Sequence, residues 1–226
     1  MRFEIEPIAH IENGFDSKFG IPRQSGILNE MVSYIVFEPK YRSPEALRGL
    51  GEFSHLWLIW QFSESVRDEF SPTVRPPRLG GNKRVGVFAS RSPFRPNSLG
   101  LSSVKLIEII KTADKGEILA VSGADLMNGT PIFDIKPYVK FSDSHPDALC
   151  SYADENQDYS LQVEIPEQFF EVLGEHRKTV EKILAHDPRP SYQNDPERVY
   201  TLDYSSLSVS FKVQGERLTV TNIEVL

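Results

Sequence analysis

Hydrophobic and polar positions along this chain alternate far more often than they recur at helical spacing. Residues 2–11 (RFEIEPIAHI) set Phe3, Ile5, Pro7 and Ala9 against Arg2, Glu4, Glu6 and His10, the period-2 pattern of a half-buried strand. Pro7 restricts that strand to an edge or a bulge. MVSYIVFE (31–38) resumes strand character. FSHLWLIWQF (53–62) is almost continuously apolar and too short for a helical repeat, which predicts a central strand buried on both faces. VGVFAS, LSSVKLIEII, GEILAVSGADL and PIFDIKPYVKF follow as further strands, with turns at Asp114-Lys115-Gly116 and Met127-Asn128-Gly129. Ser43-Pro44-Glu45 reads as the N-cap, first-turn proline and acidic first turn of a short helix ending at Gly49. Consecutive strands with short turns and little helix predict a mainly β chain whose first domain, residues 1–141, is an antiparallel β-barrel.

The pattern changes at 142–159 (SDSHPDALCSYADENQDY), whose polar composition predicts a linker. A short strand, LQVEI, follows. One long helix is then predicted from Pro166, with Phe169, Val172, Leu173, Val180, Ile183 and Leu184 three and four residues apart. The runs VYTLDYS, LSVSFKVQ and RLTVTNIEV complete a small α+β C-terminal domain, residues 160–226. A unit of that size is near the lower limit for independent stability and is expected to dock on the barrel.

Charge is segregated along the chain. The 226 residues carry a formal net charge of -7, yet residues 71–106 hold seven basic side chains (Arg75, Arg78, Lys83, Arg84, Arg91, Arg95, Lys105) and no acidic one. Residues 141–226 hold 16 acidic and 7 basic side chains, a net of -9. A basic stretch with glycines in an acidic protein suits a local anion site, where guanidinium forks meet phosphate or carboxylate; a solvated basic loop has the same composition. The overall acidity argues against indiscriminate polyanion binding, so a nucleic-acid partner is expected to meet a local patch.

Several chemistries are disfavoured by what the residues do not form. The single cysteine, Cys150, allows neither an intrachain disulfide nor a CxxC zinc site. The five histidines lack metal-ligand spacing, and no P-loop, GxGxxG, HExxH or nucleophile elbow is present, so no metal and no covalent catalysis are expected. No apolar run is long enough to span a bilayer, and MRFEIEPIAHIENG opens with alternating charge rather than as a signal peptide. The expectation is a cytoplasmic protein with no membrane partner.

What remains is a set of polar clusters: Pro22-Arg23-Gln24, Gln61 to Glu64, Arg75 to Arg95, Asp125 to Pro131, and Asp134 to Pro137. Polar loops at one end of a rigid β scaffold are where sites are usually built, and the long 63–84 stretch without an element pattern has the character of a functional loop. Asp134 and Lys136 suit a simple ion pair. A functional reading is favoured for Arg91 and Asp125. A lone histidine in an apolar run, as at His55, is more often a hydrogen-bonded core residue than a catalyst.

GIPRQ, FSHLWLIWQF, TVRPPRLGGNKRVGVFASRSPFRPNSLGLSSVKL and DLMNGTPIFDIKPY, in this order and spacing, resemble the TrmO (TsaA-like, YaeB) family of bacterial tRNA adenine-N6-methyltransferases. The closing DPRPSY resembles that family's C-terminal part. The resemblance implies a β-barrel enzyme using S-adenosyl-L-methionine, unlike the Rossmann-type methyltransferases. It also implies a homodimer with the cofactor near the subunit interface. The implied substrate is the threonylcarbamoylated adenosine 3′ of the anticodon in tRNAs decoding ACN codons. Carried onto these residues, it assigns the cofactor to Arg23, Gln24, Ser25, Gly26, Phe62, Ser63, Glu64, Arg91, Leu101, Gly123, Ala124, Asp125, Leu126, Met127 and Asn128. Catalysis falls to Arg91, Asp125 and His55, and RNA contact to Arg75, Arg78, Lys83, Arg84 and Arg95. The chain departs from the family pattern at Ser98, where proline is usual after Arg-Pro-Asn, and at Asn128, where aspartate is common.

The implied chemistry agrees with the composition. An RNA loop bearing an extra carboxylate asks for a compact cationic patch, and a sulfonium cofactor suits acidic and amide groups such as Glu64, Asp125 and Asn128. An open loop cluster also needs a partner surface to exclude water, which again favours a homodimer. Two other readings use the same residues: a noncatalytic module binding an RNA or an anionic metabolite, and a hydrolase using a carboxylate-activated water.

Overall fold

The structure is a computed structural model, which describes residues 4–67, 69–76, 83–151, 159–189, 193 and 195–226. The first unit contains β1 (Ala9–Glu12), β2 (Val32–Phe37), β3 (His55–Gln61), β4 (Thr73–Val74), β5 (Val85–Gly86), β6 (Leu99–Lys111), β7 (Glu117–Ser122) and β8 (Pro131–Pro137). Six of these close a barrel in the order β1-β2-β7-β6-β3-β8, with every pairing antiparallel. The mainly β, antiparallel barrel expected from the alternation is therefore what forms. Ala9, Ile11, Ile35, Leu56, Leu58, Trp60, Val104, Leu119, Val121 and Ile132 fill it from successive strands.

β3 departs from expectation in an instructive way. Leu56, Leu58 and Trp60 point inward, while Trp57, Ile59 and Gln61 are half-buried and His55 is exposed. A sheet closed on itself has one inner face, so a continuous apolar run still alternates. The outward Trp57 is sheltered by Tyr138, at 5.6 Å between ring centroids, and donates its Nε1–H to Asp143 Oδ2 at 2.7 Å.

Shorter elements differ too. The helix expected from Ser43 is a 3-10 turn, Pro44–Leu47, to which Ser43 makes no side-chain cap. Gly49, at φ +83°, then leads into a second 3-10 turn. Of VGVFAS only Val85–Gly86 remains extended, paired with β4 as a small ribbon, before a 3-10 turn over Val87–Ala89.

After α1 (Lys140–Asp143), the second unit is built from β9 (Gln162–Glu164), α2 (Phe170–Leu173), α3 (Arg177–Ala185), β10 (Tyr200–Tyr204), β11 (Leu207–Gln214) and β12 (Arg217–Val225). Its sheet runs β10-β11-β12-β9, with β9 parallel to β12. The long helix expected here is interrupted at Gly174, whose φ of +49° ends α2 at low cost only because the residue lacks a Cβ. The apolar stripe survives the break: Leu173, Val180, Ile183 and Leu184 are all buried.

Phe15, Leu28 and Met31, from the connection between β1 and β2, are buried in this second core rather than in the barrel. Burial of each such side chain contributes roughly 1.5–3 kcal/mol, so the connection is held firmly against the C-terminal unit. Gly20 is required there. Its φ is +94°, and a Cβ would lie 2.0 Å from Leu202 Cδ1.

Candidate active site

β1, β3 and β7 end where β2, β6 and β8 begin. Antiparallel closure thus brings the two ends of each of the connections 13–31, 62–98 and 123–130 to one mouth of the barrel. Asp125 lies just past β7, reached through Gly123 at φ +79°. A Cβ on Gly123 would sit 3.2 Å from both Cα and N of Gly26, and the Gly26 N–H donates to the Gly123 carbonyl at 2.8 Å. Two loops therefore touch through their glycine backbones.

Behind Asp125 stands a polar wall set into the barrel. Ser102 Oγ donates to Asp125 Oδ1 at 2.5 Å and accepts from Trp60 Nε1 at 2.9 Å. The indole lies over Gly100, where a Cβ would come within 2.3 Å of the ring. Burial pushes the Asp125 carboxyl above its ordinary range. The Ser102 hydroxyl, Asp125's own main-chain N–H, the Arg91 charge and the Ser25 main-chain N–H pull it down without reversing that. Arg91 is exposed, and its Nη1 donates to Gln24 Oε1 at 2.5 Å. A partly desolvated carboxylate, a guanidinium and a hydroxyl in one recess form a group suited to holding charge and moving a proton.

Of the residues expected at the site, Gln24, Ser25, Gly26, Arg91, Gly123 and Asp125 come together here. Phe62 adjoins them, its ring centroid 4.3 Å from that of Trp60 and its N–H donating to the Ser98 carbonyl at 2.8 Å. Ser63 and Glu64 follow on an exposed 3-10 turn, where the Glu64 carbonyl accepts from Lys18 Nζ. Ala124 and Leu126 are fully buried in the barrel core, so they offer the recess only main-chain groups. Met127 is half-buried beside them.

Other expected residues are engaged elsewhere. Asn128 accepts from the Asn13 N–H at 3.2 Å and donates to Asp16 Oδ1 at 2.8 Å; an aspartate there would face Asp16 as a like charge. Leu101 is 59% exposed on the outer face of β6, one residue out of phase with Ser102. Arg23 reaches the main chain of the C-terminal unit. His55 opens β3 at the opposite mouth, about 17 Å along the strand from Trp60, beside Ser54 Oγ at 2.9 Å. It is neither a core histidine nor, within one chain, a neighbour of Arg91 and Asp125.

The basic residues also divide. Arg75, Lys83 and Arg84 are exposed, with Arg84 Nη1 donating to Thr73 Oγ1 at 3.1 Å across the β4–β5 ribbon. Arg95 is half-buried and donates to the carbonyls of Ser90, at 2.6 Å, and Val87, at 3.3 Å. It braces the turn that presents Phe88, which is 75% exposed. Arg78 lies outside the described residues. Asp134 and Lys136 pair at 2.7 Å. Ser98 adopts φ +47° and is buried, a conformation closed to the family's usual proline, whose φ is fixed near −65°. Among the described residues no His, Cys, Asp or Glu cluster suited to a metal is formed, and no helix is long and apolar enough to cross a membrane.

Sequence reasoning missed Trp60, Gly100 and Ser102, although their common inward phase on β3 and β6 carried a signal. A serine and a glycine in phase with Val104 are unusual for a barrel interior and mark a polar notch under a large ring.

Residues 10–144 match the family model of the tRNA-methyltransferase O N-terminal domain, and residues 158–226 match that of the TrmO C-terminal domain. The chain belongs to the TrmO family. It is 37% identical over 231 residues, covering 98% of each chain, to the Escherichia coli protein named tRNA (adenine(37)-N6)-methyltransferase. It is 38% identical over 218 residues, 92% of each chain, to a Pseudomonas aeruginosa protein named as an S-adenosylmethionine-dependent methyltransferase, RcsF. The crystal structure of TrmO from P. aeruginosa superposes with a TM-score of 0.79 at 31% identity, covering 100% of this chain and 98% of that one. The TrmO likeness thus extends over both hydrophobic cores and all three loops at the barrel mouth.

Proposed function

We propose that this chain is an S-adenosylmethionine-dependent tRNA (adenine-N6)-methyltransferase acting at position 37, and that its substrate there is N6-threonylcarbamoyladenosine in ACN-decoding threonine tRNA. The observation that carries this reading is the convergence of Arg91, Gln24, Ser25 and Asp125 at one barrel mouth, in a chain whose TrmO likeness runs end to end.

The residues present fit the cofactor. Gly26, at φ +80°, has open space where a Cβ would stand, and the main chain of 24–26 and 123–127 lies around it. The Asp125 carboxylate balances a cationic ligand, and Phe62 offers an aromatic face for a purine. When bound, the cofactor supplies the methyl group. Asp125 receives the proton that N6 gives up as its bond to the methyl carbon forms; a carboxylate raised above its usual range is a better base for this than an ordinary one. Arg91 presents a planar fork to the threonyl carboxylate or a neighbouring phosphate, oriented by Gln24. The protein otherwise contributes alignment.

Arg75, Lys83 and Arg84 form the approach surface for the anticodon arm, sequence-independent and salt-sensitive. The enzyme acts as a cytoplasmic homodimer. Leu101, exposed on the outer barrel wall, is suited to contact with a second copy and closes the site from there.

Transfer of labelled methyl from S-adenosylmethionine to tRNA from cells lacking the enzyme tests the reading, with tRNA lacking threonylcarbamoylation as control. Transfer to the first and not the second is expected. Equal transfer to both removes the modified-base substrate; no calorimetric affinity for S-adenosylmethionine leaves the noncatalytic module. Sedimentation of the active species as a monomer at assay concentration removes the dimer.

A further inference from the structure

We propose that Arg23 is a positioning residue, a clamp by which the C-terminal unit sets Arg91 and Asp125 in place without touching substrate. Residues 23–26 each make a different tie. Arg23 Nη2 donates to the main-chain carbonyls of Asp187, at 3.0 Å, and Arg189, at 2.8 Å. Gln24 accepts from Arg91. The Ser25 N–H is directed at the Asp125 carboxylate, and the Gly26 N–H meets the Gly123 carbonyl. One four-residue stretch thus joins the C-terminal turn to both charged groups of the recess.

The far end of the clamp is built to stay still. The Asp187 carboxylate takes the Arg189 guanidinium in a two-pronged pair, at 2.8 and 2.9 Å, and accepts from Tyr159 OH at 2.9 Å. Both side chains of the pair are less than a tenth exposed, and Asp187 sits at φ +49°. Because carboxylate and guanidinium neutralise each other, the turn offers Arg23 two fixed carbonyls rather than a net charge. Ile21, Ile27 and Leu28 pack into the C-terminal core on either side of the stretch. The loop therefore follows the C-terminal unit, and the barrel receives its geometry from that side.

This inference rests on the methyltransferase reading, and the experiment separates the two. In the full-length protein, R23M, R23K, Q24A and R23M/Q24A are compared for kcat and KM, for thermal stability, and for amide hydrogen exchange at Ser25 and Gly26. R23M is expected to lower kcat about tenfold, as small misalignments do, with KM for tRNA little changed and faster exchange at both amides. R23K should restore part of kcat. R23M/Q24A should lose no more than the worse single variant, because the two act in series.

Additive losses, or unchanged exchange at Ser25 and Gly26 in R23M, overturn the clamp. So does a wild-type kcat in R23M. Should R23M fail to fold, R23K decides: a reduced kcat with an unaltered melting temperature supports the clamp, and a wild-type kcat refutes it. Absence of transfer by the wild type would sink the methyltransferase reading alone, while the exchange measurement still judges the clamp.

Discussion

Asp125 and Asp187 stand at the margins of the two hydrophobic cores, and their surroundings treat them in opposite ways. Asp187 is buried but fully met by Arg189 and Tyr159. Desolvation raises its pKa, and the Arg189 and Tyr159 contacts more than reverse that, so its carboxyl is held below the usual range. Asp125 has a hydroxyl as its nearest donor and an exposed Arg91 further off, so desolvation wins and its carboxyl is held above that range. A compensated buried charge organises a turn. An undercompensated one is a candidate to bind or react, and that difference in pairing sets the two carboxyl groups on opposite sides of the ordinary range.

The largest test of the contrast is D187A. It leaves Arg189 buried without its partner, and a loss of about 3–5 kcal/mol is expected in denaturant unfolding at neutral pH. The sign with pH is fixed by the lowered carboxyl. Its contribution is present above the unfolded carboxylate range and disappears as pH falls through the lower folded value, so wild type and variant converge in acid. A loss below about 1 kcal/mol would reduce the pair to the standing of a surface contact.

Next in size, R91A should lower methyl transfer by one to three orders of magnitude, equivalent to roughly 2–4 kcal/mol, with stability nearly unchanged because the side chain is exposed. R91K should recover part of the rate, since an ammonium restores charge without the fork. Equal losses of rate and stability would make Arg91 structural and erase the contrast.

G100A probes the wall behind Asp125. Overpacking against Trp60 should cost about 1–3 kcal/mol and displace the Ser102 hydroxyl, so rate and stability fall together.

D125N should move the other way from D187A. A carboxyl raised on folding costs stability in full above its folded pKa, and the cost is relieved as pH falls through that value and is gone below the unfolded one. The variant should therefore melt above wild type at neutral pH, converge with it in acid, and be inactive. A lower melting temperature at neutral pH would show that the recess compensates its charge after all.

The smallest effects belong to K83A and R84A, whose charges face water. Each should weaken tRNA binding modestly and reduce the salt dependence by about one counterion, leaving S-adenosylmethionine affinity intact.

Much of this was legible in the chain. Strand character was legible in runs such as MVSYIVFE and FSHLWLIWQF, but the alternation read over 2–11 forms a strand only at Ala9–Glu12, and Ile5, which lies ahead of the first strand pairing, is 60% exposed rather than half-buried. Arg91 and Asp125 stood out as members of polar clusters on loops. Phase was harder. Leu101 and Ser102 are neighbours in sequence and lie on opposite sides of the barrel wall, which no motif reveals until the register is known. The partners of Arg95 and Asn128 are main-chain carbonyls and a loop aspartate, and such contacts leave no compositional mark. The break at Gly174 was hidden by an apolar stripe that continues across it, since packing preserved the spacing while the backbone left the helix. The membership of Phe15, Leu28 and Met31 in the second core was invisible because it depends on tertiary docking of an otherwise irregular loop.

The position of Trp60 has an optical consequence. The chain has two tryptophans: Trp57 lies on the outer wall with Tyr138 and Asp143, and Trp60 is 5% exposed with its indole N–H on the hydroxyl that holds Asp125. Emission from an indole responds to the dipoles and charges around it, so Trp60 is a built-in fluorophore two hydrogen bonds removed, through Ser102, from the Asp125 carboxylate. Occupancy of the recess, or protonation of Asp125, should alter the intrinsic fluorescence of the unlabelled protein. A W57F background would remove the outer-wall signal and leave a spectrum that follows the site in real time.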